Sequence, residues 1–154
     1  MILNHIGDVI TAWEDYKKDA VLVHGCNCMH TMGAGIAYRI RKLYPEAYDA
    51  DLYTPMGDKK KLGTYSRWGF PDIDNYVNKI IVNAYTQYDF GGLTRNVDYD
   101  ALERVMIKIN NDFPKEQIFM PRIGCGLAGG DWDVVKEILD KVFKDRIIYV
   151  YTLS

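Results

Sequence analysis

Two stretches of this chain combine residue types and spacing suited to chemistry. The first is His24-Gly25-Cys26-Asn27-Cys28-Met29-His30-Thr31-Met32-Gly33-Ala34-Gly35-Ile36-Ala37. Its small residues at 33–35 let a backbone approach a ligand closely, and N–H groups at the start of a helix attract anions. The second is Pro121-Arg122-Ile123-Gly124-Cys125-Gly126-Leu127-Ala128-Gly129-Gly130-Asp131-Trp132. Four glycines in the seven positions from Gly124 to Gly130 can shape a backbone nest for phosphate oxygens. Either loop alone is as readily a tight turn. Two anion-seeking loops at one sheet edge suit a diphosphate. Neither is a dinucleotide fingerprint, because Gly33-Ala34-Gly35 lacks the third glycine, and no Gly-Lys-Ser/Thr of a P-loop occurs.

The first loop also carries titratable groups. Cys26-x-Cys28 with His24 and His30 nearby raises the question of a metal. Structural zinc sites pair such a motif with a second ligand pair downstream, and here only Cys125 follows, so no metal and no cofactor are expected. Three cysteines are also too few and odd in number for a disulfide framework, which points to a reducing, cytoplasmic compartment. His24 ends an apolar run. Histidine titrates near pH 6.5 and can serve as acid or base, or it can be a buried, hydrogen-bonded core residue.

The elements that must hold these loops follow from hydropathy. Residues 1–6, 20–25, 64–70, 79–85, 117–120 and 147–153 read as strands. Ala20-Val21-Leu22-Val23 is apolar on both faces, as in a central strand covered on both sides. Helical spacing marks Val9 to Lys17, then Ile36, Ala37, Ile40, Leu43 and Tyr44 up to a break at Pro45. It recurs at Leu102, Val105, Met106, Ile109 and Phe113, where Asp100…Glu103 resembles a capping box, and at Val135, Ile138, Leu139 and Val142, capped by Asp131. Residues 86–97 read as a loop. Strands alternating with helices, with a strand pair in the middle, predict an α/β fold: a three-layer α/β/α sandwich on a mixed, largely parallel sheet. Ligands of such sheets bind at the carboxyl ends of the strands, where both glycine loops fall.

Composition bounds the rest. A chain of 154 residues, 48% hydrophobic and 26% charged, is one globular domain's worth and not a disordered one. A net charge of -2 argues against binding driven by phosphate neutralisation of nucleic acid. No apolar stretch approaches a membrane span and no secretory signal opens the chain. Twelve Tyr and three Trp suit either core packing or a grip on flat polar ligands. Nothing resembles a dimerising heptad, so a monomer is expected.

In order and spacing, these residues resemble the macro domain, a family that binds ADP-ribose. Its members commonly carry Asn-Ala-Ala-Asn at the end of a central strand and, after five residues, a Gly-Gly-Gly-Val-Ala-like stretch. Here His24-Gly25-Cys26-Asn27 and Gly33-Ala34-Gly35-Ile36-Ala37 stand in those places, separated by residues 28–32. Gly7-Asp8-Val9 resembles the family's Gly-Asp-Ile, Pro121 to Leu127 its phosphate loop, and Val150-Tyr151-Thr152-Leu153 its last strand. The resemblance covers residues 1–154 as a single macro domain. It is greatest to a subgroup of ADP-ribose-1''-phosphate phosphatases and ADP-ribosyl-glutamate hydrolases.

The resemblance implies residue roles. Asp8, with the Val9 backbone, would bind the adenine amino group. Asn27 would hold the distal ribose hydroxyls, and Gly33, Ala34, Gly35, Ile36 and Ala37 would line that ribose and a phosphate. Arg122, Ile123, Gly124, Cys125, Gly126, Leu127 and Ala128 would wrap the diphosphate, and Tyr151 and Leu153 would border adenine. Asp8 also reads as a helix N-cap and Tyr151 as core. The glutamate hydrolases use a lysine adduct and an aspartate after Gly-Cys-Gly-Leu. This chain has Gln87 and Ala128 instead, neither a nucleophile nor a base. Asp131, three residues on, is a conceivable substitute.

The expected activity is therefore hydrolysis of ADP-ribose-1''-phosphate to ADP-ribose and phosphate, with His24 and Asn27 as catalytic residues. General acid–base transfer contributes on the order of 10²–10⁴-fold. The alternatives are a non-catalytic ADP-ribose reader, or a hydrolase removing ADP-ribose from protein or nucleic acid without a lysine adduct. The expected partner is ADP-ribose or ADP-ribose-1''-phosphate, with nucleic acid only as an ADP-ribosylated substrate.

Overall fold

The computed structural model describes residues 1–91 and 95–153. Residues 92–94 of the expected loop at 86–97, and Ser154, lie outside them. The strands are β1 (Ile2–Ile6), β2 (Ala20–Cys26), β3 (Tyr65–Asp72), β4 (Val77–Tyr85), β5 (Gln117–Pro121) and β6 (Ile148–Thr152). The helices are α1 (Val9–Asp15), α2 (Gly35–Leu43), α3 (Pro45–Leu52), α4 (Tyr99–Asp112) and α5 (Trp132–Val142), and one 3₁₀ turn spans Lys59–Lys61. The strands form one sheet in the order β1-β6-β5-β2-β4-β3. All neighbours are parallel except the hairpin pair β3 and β4. No helix among the described residues is long and apolar enough to cross a membrane.

Strand alternation distributes the core to both faces. From β2, Val21 and Val23 join Leu102, Val105, Ile109, Val135 and Leu139 of α4 and α5. Ala20 and Leu22 join Val9, Ile10, Trp13, Ile40 and Ala47 of α1, α2 and α3 on the other face. This is the expected three-layer sandwich on a mixed, largely parallel sheet.

Three local expectations change. Pro45 does more than break α2: it opens α3 at its first turn, where a missing N–H costs nothing. The cap of α4 is Asp98, whose side chain accepts from Ala101 N at 3.0 Å. Asp100 instead pairs with Arg104 one turn on, at 2.9 Å. Helix α1 stops at Asp15 because Tyr16 turns to extended backbone. Its last carbonyls are satisfied from β4: the buried Lys79 ammonium donates to Trp13 O at 2.7 Å and Tyr16 O at 2.5 Å. A cation is the favoured partner at a helix C-terminus.

Lys79→Ala removes both charged hydrogen bonds and the packed stem. It is expected to lower the unfolding free energy by about 2–4 kcal/mol, read as a lower midpoint in urea denaturation.

Candidate functional site

Strand β2 pairs in parallel with β4 on one side and β5 on the other, so the carboxyl ends of all three lie side by side. The segments that leave them enclose a cavity of about 730 Å³, within the usual range for small-molecule sites. Gly25 to Asn27, Thr31 and residues 32–37 form one wall, and residues 121–124 and 126–128 form the facing one. Gln87, Phe90, Gly91 and Asn96, after β4, complete the rim, and Asp51 of α3 contributes a carboxylate.

The first wall is held by its own polar groups. Asn27 Oδ1 accepts from Met29 N at 2.8 Å, and its Nδ2 donates to Thr31 Oγ1 at 2.7 Å. Tyr48 of α3 donates its hydroxyl to His30 O at 2.7 Å, and His30 Nε2 donates to Thr54 O at 2.6 Å. His30 and Met32 take left-handed backbone, φ +59° and +38°, which non-glycine residues adopt only when their surroundings hold them. Burial of Met32 and the His30 hydrogen bonds do so. The N-cap of α2 is Ala34, which has no capping side chain, so the first amides of this helix are left for a ligand.

The second wall is shaped by steric exclusion. Gly124 has φ +76°, and a Cβ there would lie 2.7 Å from Val97 Cγ2. A Cβ on Gly130 would lie 2.4 Å from Gly124 O. Gly130 N donates to that same oxygen at 2.6 Å and closes the turn. Gly126, by contrast, has open space on its Cβ side. The Arg122 guanidinium stacks 4.7 Å over the Trp132 ring. The turn therefore presents mainly peptide groups to the cavity.

His24 lies elsewhere. It sits on the α3 side of β2, fully buried, and does not line the cavity. Asn83, its register partner on β4, donates its amide to Ala47 O (2.9 Å) and Ser66 Oγ (3.0 Å). The Asn83 oxygen is thus left to accept from His24 Nε2–H at 2.6 Å. Burial pushes the imidazole pKa down to about 4, against smaller upward effects of Asn83 and Asp51. The expected acid–base contact of His24 with substrate is corrected: a neutral imidazole reaches the cavity only through Cys26, whose Sγ is 3.7 Å away. Burial also raises the Cys26, Cys28 and Cys125 thiols, so none is a ready thiolate.

The other expected residues divide. Asn27, Gly33, Ala34, Gly35, Ile36, Ala37, Arg122, Ile123, Gly124, Gly126, Leu127 and Ala128 are brought together around the cavity. Cys125 is not: its thiol turns back to Ile123 O at 3.5 Å. Asp8, Val9, Tyr151 and Leu153 also do not line it. Asp8 caps α1 through Ile10 N (2.9 Å) and pairs with Arg39 of α2 at 2.5 Å. The Arg39 hydrogen bond holds its carboxyl below the usual range. Val9 packs into the core, Tyr151 stacks on His5 at 4.8 Å, and Leu153 is exposed. Gly7 N donates to Thr152 O at 2.7 Å, which keeps Asp8 and the end of β6 together beside α2. Asp131 caps α5, accepting from Asp133 N at 2.9 Å, and is outside the cavity lining. Among the described residues no group of three His, Cys, Asp or Glu side chains is placed to hold a metal ion.

Sequence reasoning missed Asp51, Phe90 and Asn96. The strand-end rule, applied to β4 as to β2 and β5, would have found Phe90 and Asn96. No comparable signal marks Asp51.

No protein-family model matches the chain. The 17.5 kDa protein in the tk-vs intergenic region of Enterobacteria phage T4, itself uncharacterised, is 38% identical over 149 residues, 91% of this chain and 89% of that one. An ADP-ribose 1''-phosphate phosphatase of Candida glabrata is 22% identical over 178 residues, 98% of each chain. A DNA ADP-ribosyl glycohydrolase of Mycobacterium tuberculosis is 25% identical over 154 residues, and this chain spans 42% of its length. Among solved structures, the macrodomain of Mycobacterium tuberculosis DarG superposes with a TM-score of 0.76 at 21% identity, covering 100% of this chain and 99% of that one. Thermosipho africanus DarTG, solved in complex with ADP-ribose, superposes with a TM-score of 0.73 at 18% identity, covering 97% of this chain and 41% of that one. The α/β/α sheet and the paired loops at its carboxyl edge define the class. The chain shares the macrodomain fold of these solved structures and is a relative of the phage T4 protein.

The buried histidine makes stability pH-dependent. Its pKa is about 4 in the fold against about 6.5 unfolded, so the unfolded chain takes up the proton first as pH falls. Its stabilising contribution is complete above pH ~6.5 and is lost progressively toward pH ~4, by roughly 3 kcal/mol. Denaturant unfolding of wild type and His24→Gln at pH 7 and pH 4 is expected to show that fall only in the wild type.

Proposed function

We propose that residues 1–154 act as a single macro domain that binds ADP-ribose and hydrolyses a bond at the C1'' end of an ADP-ribose derivative. The observation that carries this reading is the meeting, in one cavity, of the uncapped start of α2 and the glycine turn after β5. Both present peptide N–H groups to an anion. The diphosphate lies between residues 33–37 and 122–128, and the distal ribose over Asn27. Adenine extends toward Asp8, Tyr151 and Leu153. Arg39 must then yield Asp8 or stack beside the base.

The phosphatase reading, release of phosphate from ADP-ribose-1''-phosphate, is supported by the end-to-end match to relatives bearing that name. In it Asn27 and the glycine loops orient the substrate, and His24 acts as a positioning residue beneath Cys26. Removal of ADP-ribose from a protein or nucleic acid without a lysine adduct is favoured by a different observation. The charged side chains lining the described cavity are the buried carboxylate of Asp51 and Arg122, the latter stacked on Trp132. Phosphoryl transfer is normally served by cations at the reacting phosphate.

Calorimetry with ADP-ribose tests the shared core, and no binding at millimolar ligand overturns it. Gly126→Glu places a carboxylate where a Cβ meets nothing. It is expected to weaken binding at least tenfold, about 1.4 kcal/mol, with an unchanged Tm. A phosphate-release assay on ADP-ribose-1''-phosphate tests the phosphatase reading.

A further inference from the structure

Asp51 is an acidic side chain that the fold buries without a salt-bridge partner among the described residues. It is 1% exposed yet lines the cavity. Its Oδ1 accepts from Tyr85 OH at 2.6 Å. Burial, then the Asp51 hydrogen bond, pushes the Tyr85 pKa well above the ordinary phenol value, so this hydroxyl keeps its proton and stays a donor. Ser66 Oγ, at 2.8 Å, fixes the hydroxyl from the far side. Asp51 Oδ2 accepts no hydrogen bond from the described residues, and the residue lines the cavity. A buried cation shares Tyr85 with it. Lys61, 5% exposed, holds its ammonium 4.5 Å over the Tyr85 ring. It has no hydrogen-bond partner and makes no ion pair with Asp51 among the described residues.

A buried carboxylate serving structure alone is expected to be paired. This one has one oxygen oriented by Tyr85 and the other without a hydrogen-bond partner among the described residues, on a residue that lines the cavity, an arrangement suited to a general base. Its sign also selects the reaction. A phosphomonoester dianion against Asp51 is repelled, whereas the positive charge that develops at C1'' during glycosidic cleavage is stabilised.

We propose that Asp51 is the catalytic base for hydrolysis of an ADP-ribosyl group joined through C1'' to an acceptor that carries no phosphate there; this rests on the ADP-ribose-binding reading above. A water proton passes to Asp51 Oδ2 as the water oxygen bonds to C1''. The C1''–acceptor bond breaks with its electron pair on the acceptor, which takes the proton from Asp51. The products are ADP-ribose and free acceptor, with the carboxylate restored.

The test uses the full chain with two probes, a base-ADP-ribosylated oligonucleotide and ADP-ribose-1''-phosphate. Wild type is expected to release ADP-ribose from the first faster than phosphate from the second. Asp51→Asn keeps an acceptor for Tyr85 and is expected to lose about 10²–10⁴-fold in rate. Its Kd for ADP-ribose by calorimetry should stay within a few-fold. Formate is expected to restore part of the rate of Asp51→Ala. An Asp51→Asn rate within tenfold of wild type overturns the role of Asp51. Phosphate release alone, or no turnover of either probe, overturns the linkage while leaving ADP-ribose binding intact. Failure of wild type to bind ADP-ribose overturns the reading beneath both.

Discussion

The parallel pairing of β2 with β5 is the constraint on which the site depends. In register, Ala20 faces Gln117 and Leu22 faces Phe119, so both strands run toward the same sheet edge. The two glycine loops, almost a hundred residues apart in sequence, emerge as neighbours. Parallel pairing needs crossover helices, and these cover both faces of the sheet. That is why residues 20–23 are apolar throughout and why the sheet carries two cores rather than one.

The cavity is electrostatically economical. Its glycine-turn wall presents mainly peptide groups, and burial raises the pKa of the thiols near it. Besides Arg122, the charged side chain lining the cavity is Asp51, which shares Tyr85 with the buried Lys61. Low polarity strengthens any interaction with a charge developing there. His24 and Asn83 lie beneath on the same face of the sheet, tying β2 to β4 and, through Ala47, to α3. The histidine thereby supports the helix that carries Asp51.

What was legible in the sequence was whatever depends on local pattern. The glycine walls, the sheet class and the caps Asp8 and Asp131 follow from residue type and spacing, and the structure places them as expected. The position of His24 is not legible in the sequence because alternation gives a side chain's face but not its depth: His24 shares its face of β2 with the cavity-lining Cys26 yet lies two residues further in, beneath it. The cap of α4 is Asp98 rather than Asp100 because two aspartates, two residues apart, offer alternative starts; the helix that begins at Tyr99 buries Ala101 and Leu102. Asp51 was illegible for a deeper reason. It sits on a short helix, one element past the first glycine loop, with no residue pattern that directs it back to the cavity. Only the docking of α3 against β3 and β4 brings it to the cavity.

A cradle made of peptide N–H groups has a consequence for how such a chain can diverge. Its chemistry resides in atoms that every residue except proline possesses, so substitution seldom deletes it. Drift is limited instead by volume: Gly124 and Gly130 cannot gain a methyl without striking Val97 or the turn's own carbonyl. Selection at such a wall acts as a size filter. Most of the surrounding sequence is free to change while the shape of the peptide turn persists.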